Sequence, residues 1–181
     1  MAAVLSAAKI RELQKNSPPL IEGLLDESVQ IQPNGVDLSM MHVQGFAAGG
    51  ELGFSSDQRV LPKLAPLEFQ DDWIDLKMGQ YLVTFNEIVH LPLDVMALGR
   101  PRSSLLRMAV SVGTAVWDAG YNGRSQSLLI VYNPNGVRLA RNARLLQLVF
   151  IEVQGGTHAY DGFFQNENLS PFSPKDNQND R

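Results

Sequence analysis

The sequence predicts an all-β domain of the sandwich, barrel or jelly-roll kind, with one short helix at its N-terminus. Two observations carry that prediction. Short apolar and β-branched runs follow one another from residue 36 onward, and turn signals rich in Gly, Pro and Asn separate them. A third sets the scale: 181 residues suffice for one domain that buries roughly two thirds of its unfolded surface without covalent staples.

In chain order, residues 5–16 read as an amphipathic helix, with Ser6 as its cap, Leu5, Ile10 and Leu13 on one face, and Ser17-Pro18-Pro19 as its stop. Strands are expected at 36–43, 81–85, 95–98, 109–112, 128–132 and 145–153. Pro33-Asn34-Gly35, Pro62, Pro66, residues 77–79, Pro92, Asn122-Gly123 and Pro134-Asn135-Gly136 supply the turns. Residues 45–57 are glycine-rich and expected as a surface excursion. The domain is expected to span 1–169, with 170–181, polar and containing two prolines, as a disordered tail. Two runs, 128–131 and 145–150, are apolar on both faces, which calls for cover from other protein and points to a homo-oligomer.

Composition excludes several function classes. With no Cys the chain forms no disulfide, fits a reducing cytosol, and lacks the Cys pair that zinc-dependent nucleobase deaminases need. A net charge of -4 argues against a polymeric nucleic acid partner, so any phosphate recognition falls to a local arginine cluster. There is no basic leader followed by an apolar core, and no stretch approaching the ~20 apolar residues of a membrane span. A soluble, cytoplasmic protein is expected.

Four places in the chain could carry chemistry. Trp117-Asp118-Ala119-Gly120-Tyr121-Asn122-Gly123 puts an acid and an aromatic ring around one tight turn, expected at Asn122-Gly123. That suits either water activation beside a flat, sugar-bearing ligand or a plain surface hairpin. Residues 99–107 pack Arg100, Arg102 and Arg107 with Ser103 and Ser104, either as a phosphate cradle or as a helix start capped by one of the serines. Asp37, between Val36 and Leu38, could order a metal-bound water or bond nearby turn amides. Gln147 interrupts an apolar strand and must find polar partners, in the core or on a ligand. His42, His90 and His158 form no metal-site spacing, and no Gly-x-Ser-x-Gly elbow occurs.

Taken in order, Asn34-Gly35-Val36-Asp37-Leu38-Ser39, Pro101-Arg102-Ser103-Ser104-Leu105, residues 117–123 and Asn142-Ala143-Arg144-Leu145-Leu146-Gln147-Leu148 resemble the four motifs of the family that joins trimeric dUTP pyrophosphatases to dCTP deaminases. The wording of 116–121 and the Gln165-Asn166-Glu167-Asn168 ending are most similar to its archaeal-type dUTP pyrophosphatases. The resemblance implies a distorted jelly-roll, a homotrimer with sites between subunits, and Mg²⁺ carried by the nucleotide. It implies that Asp118 orients the attacking water, and that Tyr121 stacks on deoxyribose and leaves no room for a 2'-hydroxyl. It further implies that backbone after Gly123 reads the pyrimidine, that Arg102, Ser103, Ser104 and Gln147 hold phosphates with Arg107 close by, and that Asp37 helps the metal through water. Phe163 or Phe164 would cover the base, and Gln165 would contact the nucleotide.

The two chemistries of that family separate on one feature. Its deaminases carry a proton-shuttling Glu on the strand after the third motif, whereas residues 124–132 here contain no acid, and Gln126 cannot take up and release a proton near neutral pH. Hydrolysis of dUTP to dUMP and pyrophosphate is therefore the expected activity. A dCTP deaminase, a bifunctional enzyme and a non-catalytic nucleotide-binding trimer are the alternatives.

Overall fold

The computed structural model describes residues 3–170. Apart from Ser170, the expected disordered tail lies outside them. Helix α1 (Ala7–Leu13) begins where Ser6 accepts a hydrogen bond from the Lys9 amide, and it buries Ile10. It ends earlier than the sequence suggests because Gln14 turns to the next strand, accepting from Ile21 N at 2.7 Å and donating to Ile21 O at 2.9 Å.

Strand β1 (Ile21–Glu22) is followed by helix α2 (Glu27–Gln30), capped by Asp26, and by β2 (Ile31–Gln32). The long β3 (Gly35–Phe46) comes next. The excursion carries a small hairpin of β4 (Glu51–Leu52) and β5 (Arg59–Val60), and β6 (Leu64–Pro66) returns to pair with β3. Then come β7 (Trp73–Leu76), β8 (Gly79–Phe85), β9 (Ile88–His90) and β10 (Val95–Pro101), leading into the short helix α3 (Ser103–Arg107). Strands β11 (Val110–Gly113), β12 (Val116–Trp117), β13 (Asn122–Gly123), β14 (Gln126–Val131), β15 (Val137–Ala140) and β16 (Arg144–Glu152) complete the order.

The fold is all-β, as expected, and all six anticipated strands exist. The main sheet runs β11-β14-β8-β3-β16-β10-β12, with β2 and β6 also on β3, and a smaller sheet runs β1-β9-β13. The strands of the main sheet pair antiparallel, so one face of each can pack inward while the other stays open. Phe85, Phe150, Leu38, Leu129 and Leu148 fill the inside. Gly35 is required where β3 meets β16, since a Cβ there would collide with the carbonyl of Leu148.

The two doubly apolar runs resolve into alternation. On β14, Leu129 and Val131 point inward while Leu128 and Ile130 stay half-exposed. On β16 a register shift between Arg144 and Leu146 lets the consecutive Leu145 and Leu146 both turn inward, leaving Gln147, Val149 and Ile151 half-exposed. Cross-strand pairing sets Val149 beside Leu98, and Leu98 beside Val116, which is 49% exposed. An apolar strip thus crosses the outer face of three strands.

A buried polar knot fixes the start of β3. Glu87 is fully buried, and its carboxylate accepts from Gln30 Nε2 and Ser39 Oγ, each at 2.6 Å, and from Ser39 N at 2.9 Å. Burial pushes its pKa up and these hydrogen bonds draw it back. Gln30 Nε2 also donates to Asp37 O at 2.9 Å, so the knot reaches directly to a candidate site residue.

Candidate active site

The first cluster gathers at the end of β10. Arg100, Gln147 and Asp37 lie opposite one another in register on β10, β16 and β3, so they share the outer face with the apolar strip. The Asp37 side chain is only 2% exposed, and its Oδ2 meets Arg102 Nε at 2.9 Å and Arg144 Nη1 at 3.2 Å. Burial raises the Asp37 pKa, and the two guanidinium groups oppose that shift. Asp37 thereby orients Arg102, whose Nη1 also donates to Arg144 O at 3.4 Å.

Neither serine caps α3. Arg102 occupies the cap position without a side-chain cap bond, and Ser103 and Ser104 are exposed beside it. Arg107 folds back, its Nη1 donating to Ser103 O at 3.0 Å. Arg102, Ser103 and Ser104 thus follow directly on the end of β10, where Gln147 lies opposite Arg100 on β16, and half-buried Arg102 is the guanidinium that Asp37 orients.

The second cluster is the third motif, and here one sequence expectation needs correction. The tight turn is not at Asn122-Gly123 but at 118–121, closed by Tyr121 N donating to Asp118 O at 3.0 Å. Gly120 has φ of 80°, the positive value that the third residue of a type II turn requires, and a Cβ there would lie 2.7 Å from Ala159 Cα. Asn122 and Gly123 instead form β13, paired with His90 and Val89. Their turn propensity is overridden because both edges of that backbone find partners. Trp117, Ala119 and Tyr121 are buried and anchor the turn, whereas Asp118 is exposed between them.

The chain following the barrel supplies those partners on one edge. Gln165 Oε1 accepts from Asn122 N and its Nε2 donates to Gly120 O, both at 2.9 Å. Asn166 N donates to Asn122 O at 2.7 Å, and Arg124 N donates to Glu167 O at 2.9 Å. Gly123 and Glu167 form a parallel bridge. Above it, Tyr121 Oη donates to Glu167 Oε1 at 2.8 Å, and the Tyr160 ring lies 5.9 Å from that of Tyr121. Burial, with the Glu167 carboxylate beside it, drives the Tyr121 pKa far upward. The Arg59 guanidinium sits over the rings of Phe163 and Phe164 at 4.9 and 5.7 Å, tying the excursion to this strap.

Strap, turn and sheet enclose a cavity of about 830 Å³ whose walls include Asp118, Tyr121, Gln126, Tyr160, Phe164 and Glu167. Arg102, Ser103, Ser104 and Gln147 do not line it, so within one chain the anion cluster and the cavity are separate. Gln165 is spent on the turn backbone rather than facing the cavity. Among the described residues no group of three or more His, Cys, Asp or Glu could hold a metal.

Burial of Glu167, opposed by its bond from Tyr121, pushes its pKa up to about 7. A carboxyl with a raised pKa in the seated strap takes up a proton on seating. Seating is therefore most favourable below the ordinary value near 4.5 and weakens as pH rises through about 7. Carbon-13 NMR of the Glu167 carboxyl is expected to give a midpoint near 7, with intrinsic-rate-corrected protection of the Arg124 amide falling from pH 5 to pH 8. An ordinary midpoint near 4.5, or protection independent of pH, would show that burial of the Glu167 carboxyl does not govern the strap.

Arg144, Glu87, Arg59 and Glu167 were not singled out from sequence. Arg144 stood inside the fourth motif and Glu167 inside the recognised ending, whereas nothing in the local pattern marks Glu87 or Arg59.

The chain belongs to the dCTP deaminase-like family, which matches residues 4–153. Within it, the chain is similar to proteins named "Probable deoxyuridine 5'-triphosphate nucleotidohydrolase". The one from Methanosarcina mazei is 47% identical over 173 residues, covering 93% of this chain and 99% of the relative. The one from Archaeoglobus fulgidus is 45% identical over 168 residues, covering 92% and 98%. The "Deoxyuridine 5'-triphosphate nucleotidohydrolase" of Methanocaldococcus jannaschii is 34% identical over 141 residues, covering 77% and 89%. Among solved structures, the 2'-deoxycytidine 5'-triphosphate deaminase of Agrobacterium tumefaciens superposes with a TM-score of 0.65 at 24% identity. That match covers 84% of this chain and 48% of the deaminase, and it supports the fold alone.

Proposed function

We propose that the protein is a dUTP diphosphatase, in which Asp118 orients and deprotonates a water that attacks the α-phosphorus of dUTP, releasing dUMP and pyrophosphate. The observation that carries this reading is an exposed carboxylate held on a rigid turn at the wall of a cavity large enough for a nucleoside. Strand β14, Gln126–Val131, offers no acid to a pyrimidine. The names of the archaeal relatives support the same substrate.

Arg102, Ser103, Ser104 and Gln147 would bind the phosphates, with Asp37 aligning the Arg102 fork, Arg107 at the rim, and Tyr121 closing the sugar pocket against a 2'-hydroxyl. Mg²⁺ would enter on the triphosphate and neutralise phosphate charge. Asp37 is the protein group that would meet it through water, although one of its oxygens already serves two arginines.

Because the anion cluster and the cavity are separate within one chain, a complete site calls for a second copy. The apolar strip at Val116, Leu98 and Val149 supplies a surface for it, and a homotrimer is the assembly we infer. Among the described residues no helix is long and apolar enough to cross a membrane.

A second reading, deamination of dCTP, draws on Glu167, a carboxyl on the cavity wall that titrates near neutral pH. One panel decides between them. With Mg²⁺, pyrophosphate should be released from dUTP and much less from UTP, and no ammonia from dCTP. Ammonia without pyrophosphate would replace the hydrolase reading with the deaminase one.

A further inference from the structure

Two rims of the cavity come from distant parts of the chain. Leu61, Pro62 and Lys63 follow directly on β5 in the excursion, whereas Tyr160, Phe164 and Glu167 belong to the strap. The bonds that Gln165, Asn166 and Glu167 make to the rest of the fold run to residues 120–124. They leave the apex of the strap to other contacts. Phe163 is 68% exposed there, so little apolar burial holds it in place.

Arg59 supplies a contact from the excursion. Its guanidinium lies 4.9 Å from the centroid of the Phe163 ring and 5.7 Å from that of Phe164, within reach of cation–π attraction, and the two rings meet edge to face at 5.0 Å. Arg59 Nη1 is buried and has no hydrogen-bond partner among the described residues, so the rings take the place of an acceptor. The excursion is ordered enough to hold the guanidinium still. Gly53 N donates to Gln58 O at 2.9 Å, Gln58 N donates to Ser55 O at 3.0 Å, and Ala47 N donates to Lys63 O at 2.8 Å where the chain returns to the sheet.

We propose that Arg59 is a positioning residue that holds the strap down over the cavity through the rings of Phe163 and Phe164, and so sets how fast a bound nucleotide leaves. The second half rests on the hydrolase reading, in which this cavity takes the nucleoside. Because Tyr160, Phe164 and Glu167 form one wall, lifting the strap opens the cavity and gates product release. The charge of Arg59 is what matters, since attraction to a ring face needs a cation and not only a side chain of the right length.

The test compares wild type, Arg59→Met, Arg59→Lys, Phe163→Leu and the Arg59→Met/Phe163→Leu pair in the full chain, by amide hydrogen exchange without nucleotide at one pH and by stopped-flow dissociation of dUMP. Arg59→Met keeps a stem of similar length and removes the cation. It is expected to lower protection of the Arg124 and Asn166 amides, which bond across the strap, about 3- to 10-fold, and to speed dUMP release in the same proportion. Amides of β14 should keep their protection. Arg59→Lys should recover much of both losses, and Arg59→Met should cost clearly less once Phe163 is Leu. Unchanged protection in Arg59→Met, no recovery in Arg59→Lys, or an equal cost with and without the Phe163 ring overturns the assignment. If protection falls as expected but wild type neither binds dUMP nor releases pyrophosphate from dUTP, the hydrolase reading falls while Arg59 still holds the strap.

Discussion

Replacing Asp118 with Asn is expected to lower kcat for dUTP hydrolysis by about 10²- to 10⁴-fold, the usual contribution of a positioned general base. Binding of nucleotide should stay within a few-fold. The asymmetry follows from the turn. Its closing hydrogen bond uses the backbone of Asp118 and Tyr121, and its anchors are the buried Trp117, Ala119 and Tyr121, so the exposed carboxylate can become an amide without disturbing what holds the loop. Pyrophosphate release, calorimetric binding and melting temperature together check this. Turnover at the wild-type rate would move the base to another residue, with Glu167 the next to test.

The second large effect is expected from Asp37→Ala. It strands the guanidinium groups of Arg102 and Arg144 around an empty, buried position. Removing one partner of a fully buried pair costs about 3–5 kcal/mol. Here both arginine side chains are near 30% exposed, so solvent screens part of that loss and about 2–3 kcal/mol is expected. In a domain of this size that corresponds to a melting temperature lower by roughly 4–12 °C. Arg102 also loses its aligned geometry, so KM for dUTP should rise more than kcat falls. Asp37→Asn, which keeps an acceptor, should recover most of the stability and only part of the affinity. A variant as stable as wild type with an unchanged KM would mean that Arg102 is oriented by other contacts.

How far the sequence could be read differs between the two clusters, for physical reasons. The strands were legible because alternation and turn chemistry act locally: Leu129 and Val131 inward with Leu128 and Ile130 outward follows from a period of two. Ser6 could be recognised as a cap for the same reason. The turn was misplaced because Asn122-Gly123 has strong local preferences that two distant partners, β9 and residues 165–168, override. Asp37 read equally well as a turn acid or a metal helper because its arginine partners lie 65 and 107 residues further along the chain. Glu87 had no legible signal. A lone acid between two strands looks solvated until the fold closes Gln30 and Ser39 around it.

The enclosing strap also has a consequence for biogenesis. The last barrel strand is finished at Glu152, but the far wall of the cavity comes from residues 160–168. During folding, the sheet can close while the cavity still lacks that wall. Competence for small ligands would then arrive as a final docking event, so a molecule with its sheet complete could still be unable to retain a nucleoside.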